Sequence, residues 1–368
     1  MKLNHKNIHK DFKLNGTSFE TLDELLVYTA KYSDKIYHFL QDWFSDKEYI
    51  TVSTSGSTGK PKEIRLEKRQ LQNSAIATGI FFKLKEKTSA LLCLPTTYIA
   101  GKMMLVRAIT LGWHLDAVAA DSNPLKEPFT SYDFAAMIPL QVEKSIEKLY
   151  QIKKLIIGGG AVSSNLQEKL QDISTEVFAT FGMTETITHI AVKKLNNSSF
   201  LQGSMTNKSL QKEFYKILPN TIIYKDERNC LVIQNKMISD SIIFTNDVVA
   251  LISDTQFEWL GRFDNVINSG GIKLHPEKIE AELSKIIKQR FFVSGIKDEK
   301  LGEKLVLLIE SAGDKSIKLQ DELIGEMKNS KLFSKFEIPK EIYFVDRFVE
   351  TSTKKIQRRK TLDLIKVI

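Results

Sequence analysis

The chain reads KLIIGGG at residues 154–160 and EVFATFGMTE at residues 176–185, two apolar strands that each run into a loop. A helical pattern at 163–171 lies between them, and SALLCLP at 89–95 predicts a third buried strand. Strands that alternate with helices of about ten residues favour an α/β sheet with helices on its faces. The surrounding sequence predicts further helices at residues 20–44, 67–82, 101–111 and 140–150, and a strand at 113–119.

The pattern changes after residue 200, where short apolar runs separated by tight turns replace the alternation of strand and helix. TIIYKD, CLVIQN, SIIFTNDVVALIS and FEWLGR predict a small antiparallel region. We therefore predict a large N-terminal domain over residues 1–263, with layered α/β sheets and this antiparallel region, and a small α+β domain over residues 264–368. The small domain has predicted helices at 276–290 and 317–329 and strands at 291–296, 304–310 and 341–346.

Composition narrows the class of protein. The 368 residues include 53 Lys and Arg against 45 Asp and Glu, which gives a net charge of +8. Charges of both signs alternate along most of the chain and no stretch interleaves basic with aromatic residues, so no nucleic-acid partner is expected. No apolar stretch approaches the roughly 20 residues of a membrane span, and the N-terminus lacks the apolar run of a signal peptide. Because its cysteines are Cys93 and Cys230 alone, we expect a reduced, cytoplasmic protein.

Residues 54–62 read TSGSTGKPK, a loop dense in glycine, hydroxyl and lysine residues. Glycines let the backbone approach an anion, while hydroxyls, backbone N–H groups and lysines can bind phosphate oxygens. The loop is not a Walker A motif, because two residues separate Gly56 from Gly59 and Pro61 stands where Ser or Thr would bind magnesium. It therefore predicts a phosphate site of another kind.

This loop resembles the phosphate-binding signature of the AMP-forming adenylating superfamily, which comprises acyl-CoA synthetases, adenylation domains and luciferases. Four further motifs of that superfamily follow in the same order, namely FGMTE at 181–185, TND at 245–247, GRFDNVINSGG at 261–271 and KIQR at 355–358. The resemblance implies an acyl-CoA synthetase-like fold with a mobile C-terminal domain and an N-terminal domain truncated at its start. It also implies a ligase that uses ATP, Mg²⁺ and CoA to convert a carboxylic acid, through its acyl-AMP, into a thioester.

The resemblance assigns nucleotide-binding roles to the motif residues. Thr184 and Glu185 are expected to be catalytic, Thr184 by donating to the α-phosphate and Glu185 by binding Mg²⁺. Asp247 would accept hydrogen bonds from both ribose hydroxyls, and Arg262 would assist at the ribose or phosphate. The other expected ATP or AMP contacts are Thr54, Ser55, Gly56, Ser57, Thr58, Gly59 and Lys62 at the β- and γ-phosphates, Gly158, Gly159 and Gly160 against the adenine and acyl group, and Thr180, Phe181 and Gly182. Taken alone, the three consecutive glycines are equally compatible with a plain strand-to-helix turn.

The C-terminal unit carries the remaining expected roles. Lys355 is the expected catalytic lysine, which would bridge the carboxylate and the α-phosphate and so stabilise charge during adenylation. Lys354 stands where the family has glycine, so the register of this motif is open by one residue. Asp264 is the expected hinge of the C-terminal domain. Gly270 and Gly271 fit a narrow channel for the pantetheine arm of CoA, where any Cβ would obstruct.

Residues 94–107, LPTTYIAGKMMLVR, resemble a motif of the o-succinylbenzoate–CoA ligases of menaquinone biosynthesis, with Gly101 and Arg107 at that family's spacing. The resemblance implies that Arg107 meets the second carboxylate of the acid, for which arginine offers bidentate geometry. A place on the helix surface is the alternative for Arg107, and a structural role is the alternative for His189. The other candidates for this pocket are Tyr98, which replaces the family's usual histidine, Thr188 and His189.

Three functions stay open at this point. Activation of o-succinylbenzoate is the leading one, and the alternative is another aryl- or acyl-CoA synthetase or a stand-alone adenylation enzyme that loads a carrier-protein thiol. The third is a nucleotide-binding protein without catalysis, against which the joint retention of Glu185, Asp247, Arg262 and Lys355 counts. The expected partners are a small carboxylic acid, ATP and CoA, and a homodimer is a further prediction.

Overall fold

The computed structural model describes residues 4–54, 62–125, 130–196, 213–311, 317–330, 332–350 and 356–365. The α-helices are α1 (Leu22–Tyr32), α2 (Asp34–Phe44), α3 (Lys68–Phe82), α4 (Ile99–Leu111), α5 (Pro139–Lys144), α6 (Ser164–Lys169), α7 (Pro276–Leu283), α8 (Ile317–Asn329) and α9 (Arg358–Ile365). The strands are β1 (Lys13–Leu14), β2 (Thr17–Ser18), β3 (Tyr49–Thr54), β4 (Lys62–Glu67), β5 (Ser89–Leu92), β6 (His114–Ala117), β7 (Tyr132–Met137), β8 (Ile152–Ile157), β9 (Glu176–Gly182), β10 (His189–Lys194), β11 (Tyr215–Ile217), β12 (Ile222–Lys225), β13 (Cys230–Gln234), β14 (Ile243–Ser253), β15 (Gln256–Arg262), β16 (Ile267–Ser269), β17 (Ile272–Leu274), β18 (Phe291–Asp298), β19 (Gly302–Glu310) and β20 (Glu341–Val345). Among the helices that the structure describes, none is long and apolar enough to cross a membrane.

Thirteen strands of the described residues form one sheet in the order β12-β13-β14-β15-β11-β10-β9-β8-β7-β5-β6-β1-β2. The strands from β9 to β1 in this order pair in parallel, as the alternation of strand and helix predicts. The strands from β9 to β12 pair antiparallel, which confirms the predicted antiparallel region. The structure adds that β10 and β11 join this region to the parallel strands, so both lie in a single sheet.

Alternate residues of the central strands enter two different clusters of buried side chains. Leu92 and Phe134 belong to the larger cluster, whereas their neighbours Leu91 and Ala135 belong to the smaller one. The parallel half is therefore buried on both faces, as parallel sheets usually are. Because both faces are covered, a ligand can bind only at an edge, and in sheets of this kind ligands bind in the loops at the carboxyl ends of the parallel strands.

A second sheet has the order β17-β16-β19-β18, with β20 beside β19. Its core includes Ile279 and Leu283 from α7 and Met327 from α8. The chain leaves the large sheet at the end of β15, Arg262, and enters the second sheet at Ile267. The sequence predicts the boundary between residues 1–263 and 264–368 at this change of sheet, and that division stays a prediction.

Three predicted helices are clearly shorter in the structure, and one of them is α6, which covers Ser164–Lys169 of the predicted 163–171. The segment predicted over 140–150 divides into α5 and a 3-10 helix at Ile146–Gln151, since β8 begins directly afterwards and the last turn has to close tightly. The helix α7 ends at Leu283, although the sequence predicts a helix to residue 290. At this end the Ser284 hydroxyl donates to the Ala281 carbonyl. The strands without a counterpart among the predicted ones are β1 to β4, β7, β10, β11, β16 and β17.

Candidate active site

The glycine turn and the FGMTE motif meet at the carboxyl edge of β8 and β9. These strands are parallel and in register, with Ile157 opposite Ala179. The Thr180 hydroxyl donates to the Ile157 carbonyl at 2.9 Å. A Cβ at Gly158 would lie 2.8 Å from that hydroxyl oxygen, so the turn approaches β9 more closely than another residue would allow. Gly158 and Thr180, both predicted to bind ATP or AMP, are therefore adjacent.

The residues that follow FGMTE form a tight, strained turn. A 3-10 helix spans Thr184–Thr186, and the single Thr186 hydroxyl proton is within hydrogen-bond reach of both the Met183 and Thr188 carbonyls, at O···O distances of 2.9 and 2.7 Å. Ile187 has φ 67° and ψ −59°, and the Thr188 N–H donates to the Thr186 carbonyl at 2.7 Å, which closes a γ-turn. Positive φ at a β-branched residue costs about 1–3 kcal/mol and concentrates at functional sites.

Gly182 sets how closely β9 and β10 approach each other beside this turn. It pairs with His189 across the hairpin, and a Cβ at Gly182 would overlap the Thr188 carbonyl oxygen. Only glycine therefore fits at this position. The hairpin consequently carries exposed Glu185 and half-buried Thr184 on one side of the strained turn and His189 on the other.

Asp247 lies where β14 faces β15, directly opposite Arg262. The residue is 5% exposed, and its carboxylate accepts a hydrogen bond from Trp259 Nε1 at 2.9 Å and lies 3.5 Å from Arg262 Nη1. Burial raises the pKa of Asp247, while the Trp259 N–H and the Arg262 charge act in the opposite direction. The predicted ribose carboxylate is thus held between an indole and a guanidinium.

Asn246, which replaces the family's glycine in TND, contacts the predicted hinge. Its side-chain amide nitrogen donates to Asp264 Oδ2 at 3.3 Å, and Arg228 Nη1 donates to the side-chain oxygen Oδ1 of Asn246 at 2.9 Å. Asp264 is exposed and lies in a 3-10 turn between the two sheets. The predicted CoA-channel glycines Gly270 and Gly271 follow at a β-turn with φ 59° and 81°, which glycine alone adopts readily.

The helix α4 carries the candidates of the acid pocket. A Cβ at Gly101 would overlap the Pro95 carbonyl oxygen, so this glycine lets the first turn of α4 lie on the backbone of residues 94–95. Tyr98 precedes the helix and is 57% exposed. Arg107 is 2% exposed, which shows that its alternative placement on the helix surface was wrong.

The Arg107 guanidinium is poorly satisfied for so deep a position. Nη1 lies 3.6 Å from Met104 Sδ, a weak acceptor, and neither Nε nor Nη2 has a hydrogen-bond partner within the part of the chain that the structure describes. Burial lowers the pKa of Arg107 to about 10, so the group is charged at neutral pH. A buried guanidinium with two unpaired donors is costly and calls for an anion.

His189 lies close enough to Arg107 for the guanidinium charge to affect its pKa. It is 5% exposed, its Nδ1 lies 3.4 Å from the Thr188 hydroxyl, and its Nε2 has no partner among the described residues. Burial, and next the charge of Arg107, hold the pKa of His189 well below 6.5. A neutral imidazole and a charged guanidinium therefore share one buried region.

Several candidates lie outside the described residues, namely Ser55, Gly56, Ser57, Thr58, Gly59 and Lys355. The strands on either side of the predicted phosphate loop are described and pair antiparallel, with Thr54 opposite Lys62. Arg358 of the KIQR motif donates to Glu280 Oε2 at 2.8 Å and to the Val293 carbonyl at 3.0 Å. This arginine ties the start of α9 to the second sheet.

A trio of side chains with possible metal-ligand atoms lies elsewhere, at His9, Asp11 and Glu86. The His9 Nδ1 accepts a hydrogen bond from the Asp11 N–H at 3.2 Å, so the ring proton is on Nε2, which lies 3.6 Å from Glu86. The Lys87 ammonium lies 3.6 Å from Asp11. Each of these ligand atoms therefore faces a partner within the protein, and we assign no metal site there.

Sequence reasoning missed Trp259, whose indole is the nearest hydrogen-bond donor that the structure gives Asp247. FEWLGR predicts a strand, but regular alternation would turn Trp259 to the face opposite Arg262 and Asp247. A register shift between Val248 and Val249 leaves Leu260 as an extra residue and returns Trp259 to the face of Asp247. A bulge of this kind leaves no clear mark in the sequence.

Comparisons with known proteins identify the family of this chain. Residues 45–221 match the family described as AMP-binding enzyme. The 2-succinylbenzoate–CoA ligase of Geobacillus sp. (strain WCH70) is 25% identical over 352 residues, which cover 89% of this chain and 71% of that protein. The ligase of the same name from Bacillus mycoides (strain KBAB4) is 23% identical over 353 residues, with 89% and 72% coverage.

Solved structures show the same relationship. The AMP-forming acyl-CoA synthetase/AMP-acid ligase II-like protein of Dyadobacter fermentans DSM 18053 is 36% identical and has a TM-score of 0.58, with coverage of 90% of this chain and 93% of that one. The O-succinylbenzoate coenzyme A synthetase of Bacillus subtilis, solved with ATP and magnesium ion, has a TM-score of 0.67 at 17% identity, with 93% and 82% coverage. The chain therefore belongs to the AMP-binding enzyme family, as an adenylating acid–CoA ligase of the acyl-CoA synthetase type.

Proposed function

We propose that this protein activates o-succinylbenzoate with ATP, giving the acyl-adenylate and pyrophosphate, and transfers the acyl group to CoA, as menaquinone biosynthesis requires. The observation that carries the choice of acid is the buried Arg107 guanidinium with two unpaired donors among the described residues. The relatives named 2-succinylbenzoate–CoA ligase support the same choice.

The unpaired donors of Arg107 suit one carboxylate. Nε–H and Nη2–H lie on the same edge of a guanidinium and point in parallel, so together they can make a bidentate pair with the two oxygens of a carboxylate. The third nitrogen, Nη1, is already turned to Met104. An acid with one reacting carboxylate and one remote carboxylate would satisfy this edge, whereas a simple fatty or aryl acid would leave it unpaired.

The nucleotide roles belong to the same proposal. Asp247 accepts the ribose hydroxyls, and Thr184 donates to the α-phosphate beside Lys355. Exposed Glu185 has carboxylate oxygens of the kind Mg²⁺ prefers, and the ion would neutralise phosphate charge during the transfer. Residues 54–62 hold the β- and γ-phosphates, residues 158–160 lie against the adenine and the acyl group, and residues 180–182 also contact the nucleotide. Arg262 assists at the ribose or phosphate.

The proposal also includes a moving C-terminal domain. Residues 264–368 rotate about Asp264, which brings Lys355 in for adenylation and Gly270 and Gly271 in for thioester formation. The exposed Asp264 between two sheets supports this hinge. Replacement Asp264→Pro should impair the second half-reaction more than the first, measured with supplied acyl-AMP, and equal losses would contradict it.

The decisive measurement is pyrophosphate release with a panel of carboxylic acids, with and without CoA. We expect o-succinylbenzoate to give the highest rate and CoA to be consumed with it. A preference for an acid without a second carboxylate would remove the menaquinone assignment and leave another acyl-CoA synthetase. Release that depends on a carrier-protein thiol would favour the stand-alone adenylation enzyme, and no release with any acid would favour nucleotide binding alone. The homodimer and the cytoplasmic location stay predictions.

A further inference from the structure

The nucleotide side of the site contains a side chain that no motif explains. Trp259 lies on β15, three residues before Arg262, and its Nε1 donates to Asp247 Oδ1 at 2.9 Å. The bulge at Leu260 turns the indole to the face of Asp247, and the ring packs against the edge of the large core cluster. Packing therefore holds the indole in place independently of its hydrogen bond to the carboxylate.

We propose that Trp259 is a positioning residue of the nucleotide site, which holds one oxygen of Asp247 so that the carboxylate keeps the rotamer that accepts the ribose hydroxyls. The inference rests on the ribose role of Asp247 in the proposed function. A carboxylate offers about four lone-pair positions. One bond to Trp259 therefore leaves enough acceptors for two hydroxyls.

The competing partner of Asp247 is weaker. Arg262 Nη1 lies 3.5 Å from Oδ2, and the Arg262 side chain is 46% exposed, so water screens the pair and the long side chain is free to move. Arg262 also lies 3.7 Å from Asp264 and divides its charge between two acids. The short, shielded bond from Trp259 is consequently the one that fixes the carboxylate.

Charged and titratable groups surround Asp247 on every element packed against it. Trp259 and Arg262 come from β15, Asp264 from the following turn, Glu277 from α7 and Cys230 from β13. Burial, Glu277 and Asp264 raise the pKa of Asp247, and the Trp259 N–H lowers it. Loss of the indole N–H should therefore raise the pKa of Asp247. Nucleotide binding should then weaken most at low pH, where Asp247 becomes protonated.

The test compares Trp259→Phe, which removes the N–H and keeps an aromatic ring, with Trp259→His, which restores an N–H donor. Equilibrium binding of ATP is measured by calorimetry without any acid, across a pH series. We expect Trp259→Phe to weaken ATP about tenfold, the expected range for loss of a hydrogen bond to a charged group. The acid limb of the binding profile should move to higher pH, and Trp259→His should recover part of the affinity.

Trp43→Phe is the matched control, because Trp43 is buried and its Nε1 has no partner among the described residues. It should lower the melting temperature and leave ATP affinity unchanged.

A nucleotide analogue tests the ribose role of Asp247. In the wild type, 2′,3′-dideoxy-ATP should bind more weakly than ATP, and Trp259→Phe should not weaken the binding of this analogue further. A dideoxy analogue that binds wild type as well as ATP would refute the ribose role of Asp247. Unchanged ATP affinity in Trp259→Phe, with the ribose still required, would overturn the positioning role alone.

Discussion

Asp247 and Arg107 are both almost fully buried, yet their surroundings differ. Asp247 has an indole N–H at 2.9 Å and a guanidinium at 3.5 Å, so its charge is balanced inside the protein. Arg107 has one sulfur at 3.6 Å and two donors without partners among the described residues. On the proposed assignments, the nucleotide side is organised by the protein itself, whereas the acid side would be completed by its substrate.

The difference bears on where binding energy is available. A buried group whose hydrogen bonds are already made gains little when a ligand arrives, and it contributes geometry and orientation. An unpaired buried donor costs about 1–3 kcal/mol, and more if charged, until a ligand satisfies it. We therefore expect choice among acids to depend on Arg107 more steeply than choice among nucleotides depends on Asp247.

The largest expected effect comes from Lys355, which lies outside the described residues and would act on the atoms between the two regions. Lys355→Ala should slow acyl-AMP formation by several orders of magnitude, because charge on the transferring phosphate loses its stabilisation. Thioester formation from supplied acyl-AMP should survive. Single-turnover assays of the two half-reactions measure this. Lys354→Ala is the control, and the same loss in that variant instead would show that the motif is shifted by one residue.

Arg107→Met tests the acid side alone. Losing a buried charge partner usually costs about 2–5 kcal/mol, so KM for o-succinylbenzoate should rise roughly tenfold or more while KM for ATP holds. For a benzoate analogue without the succinyl carboxylate, KM should be nearly the same in the variant and the wild type. In the absence of acid the variant should melt no lower than wild type, since a buried unpaired charge is replaced by an apolar chain of similar length.

The control for this change is Lys102→Met, on the same helix, where the ammonium lies over the Phe39 ring. It should leave both KM values unchanged. Equal losses for o-succinylbenzoate and the benzoate analogue in Arg107→Met would assign a structural role to the arginine and remove the contrast with Asp247.

Gly182→Ala should disturb both regions together. The added methyl would overlap the Thr188 carbonyl, so the β9–β10 hairpin must shift at a cost of about 1–3 kcal/mol. Chemical denaturation measures the loss, and KM for ATP and for the acid should both rise. Gly325→Ala in α8 is the control, because an added Cβ there would meet no described atom within 4 Å and alanine favours helices. Loss of stability without any change in KM would separate the hairpin from the site.

His189→Gln gives the smallest expected effect and concerns pH. The folded protein holds the pKa of His189 well below 6.5, so below about pH 6.5 the unfolded chain binds a proton that the folded chain does not. Stability from this site is therefore lost as the pH falls, and His189→Gln should melt with a weaker dependence on pH below that value. His38→Gln, at an exposed position, is the control and should keep the wild-type dependence.

Sequence patterns predicted the elements better than the contacts between them. The helices predicted at 67–82 and 317–329 agree with α3 and α8 because their apolar spacing and flanking residues are local signals. The motif residues Asp247 and Arg262 do pair across one hairpin. Trp259 escaped prediction because a single bulged residue reverses the face of a strand.

Backbone strain and burial escaped prediction for a related reason. The positive φ of Ile187 is imposed by the hairpin that encloses it, although isoleucine itself disfavours that conformation. The apolar residues on all sides of α4 indicate a buried helix, but local spacing does not show that the Arg107 guanidinium itself is buried with two donors unpaired among the described residues. Both are properties of tertiary packing, which a single sequence does not encode at the level of local spacing.

The strained turn at Ile187 has a consequence for how such a protein can diverge. One hairpin of the chain carries Thr184 and Glu185 before the turn and Thr188 and His189 after it. A substitution in this hairpin that adapts the proposed acid pocket to a new substrate would therefore also shift the residues proposed to face the nucleotide. Preference among acids should therefore change first through substitutions in α4, where Arg107 can be exchanged without moving the turn. The sequence of this hairpin should change more slowly than the rest of the pocket.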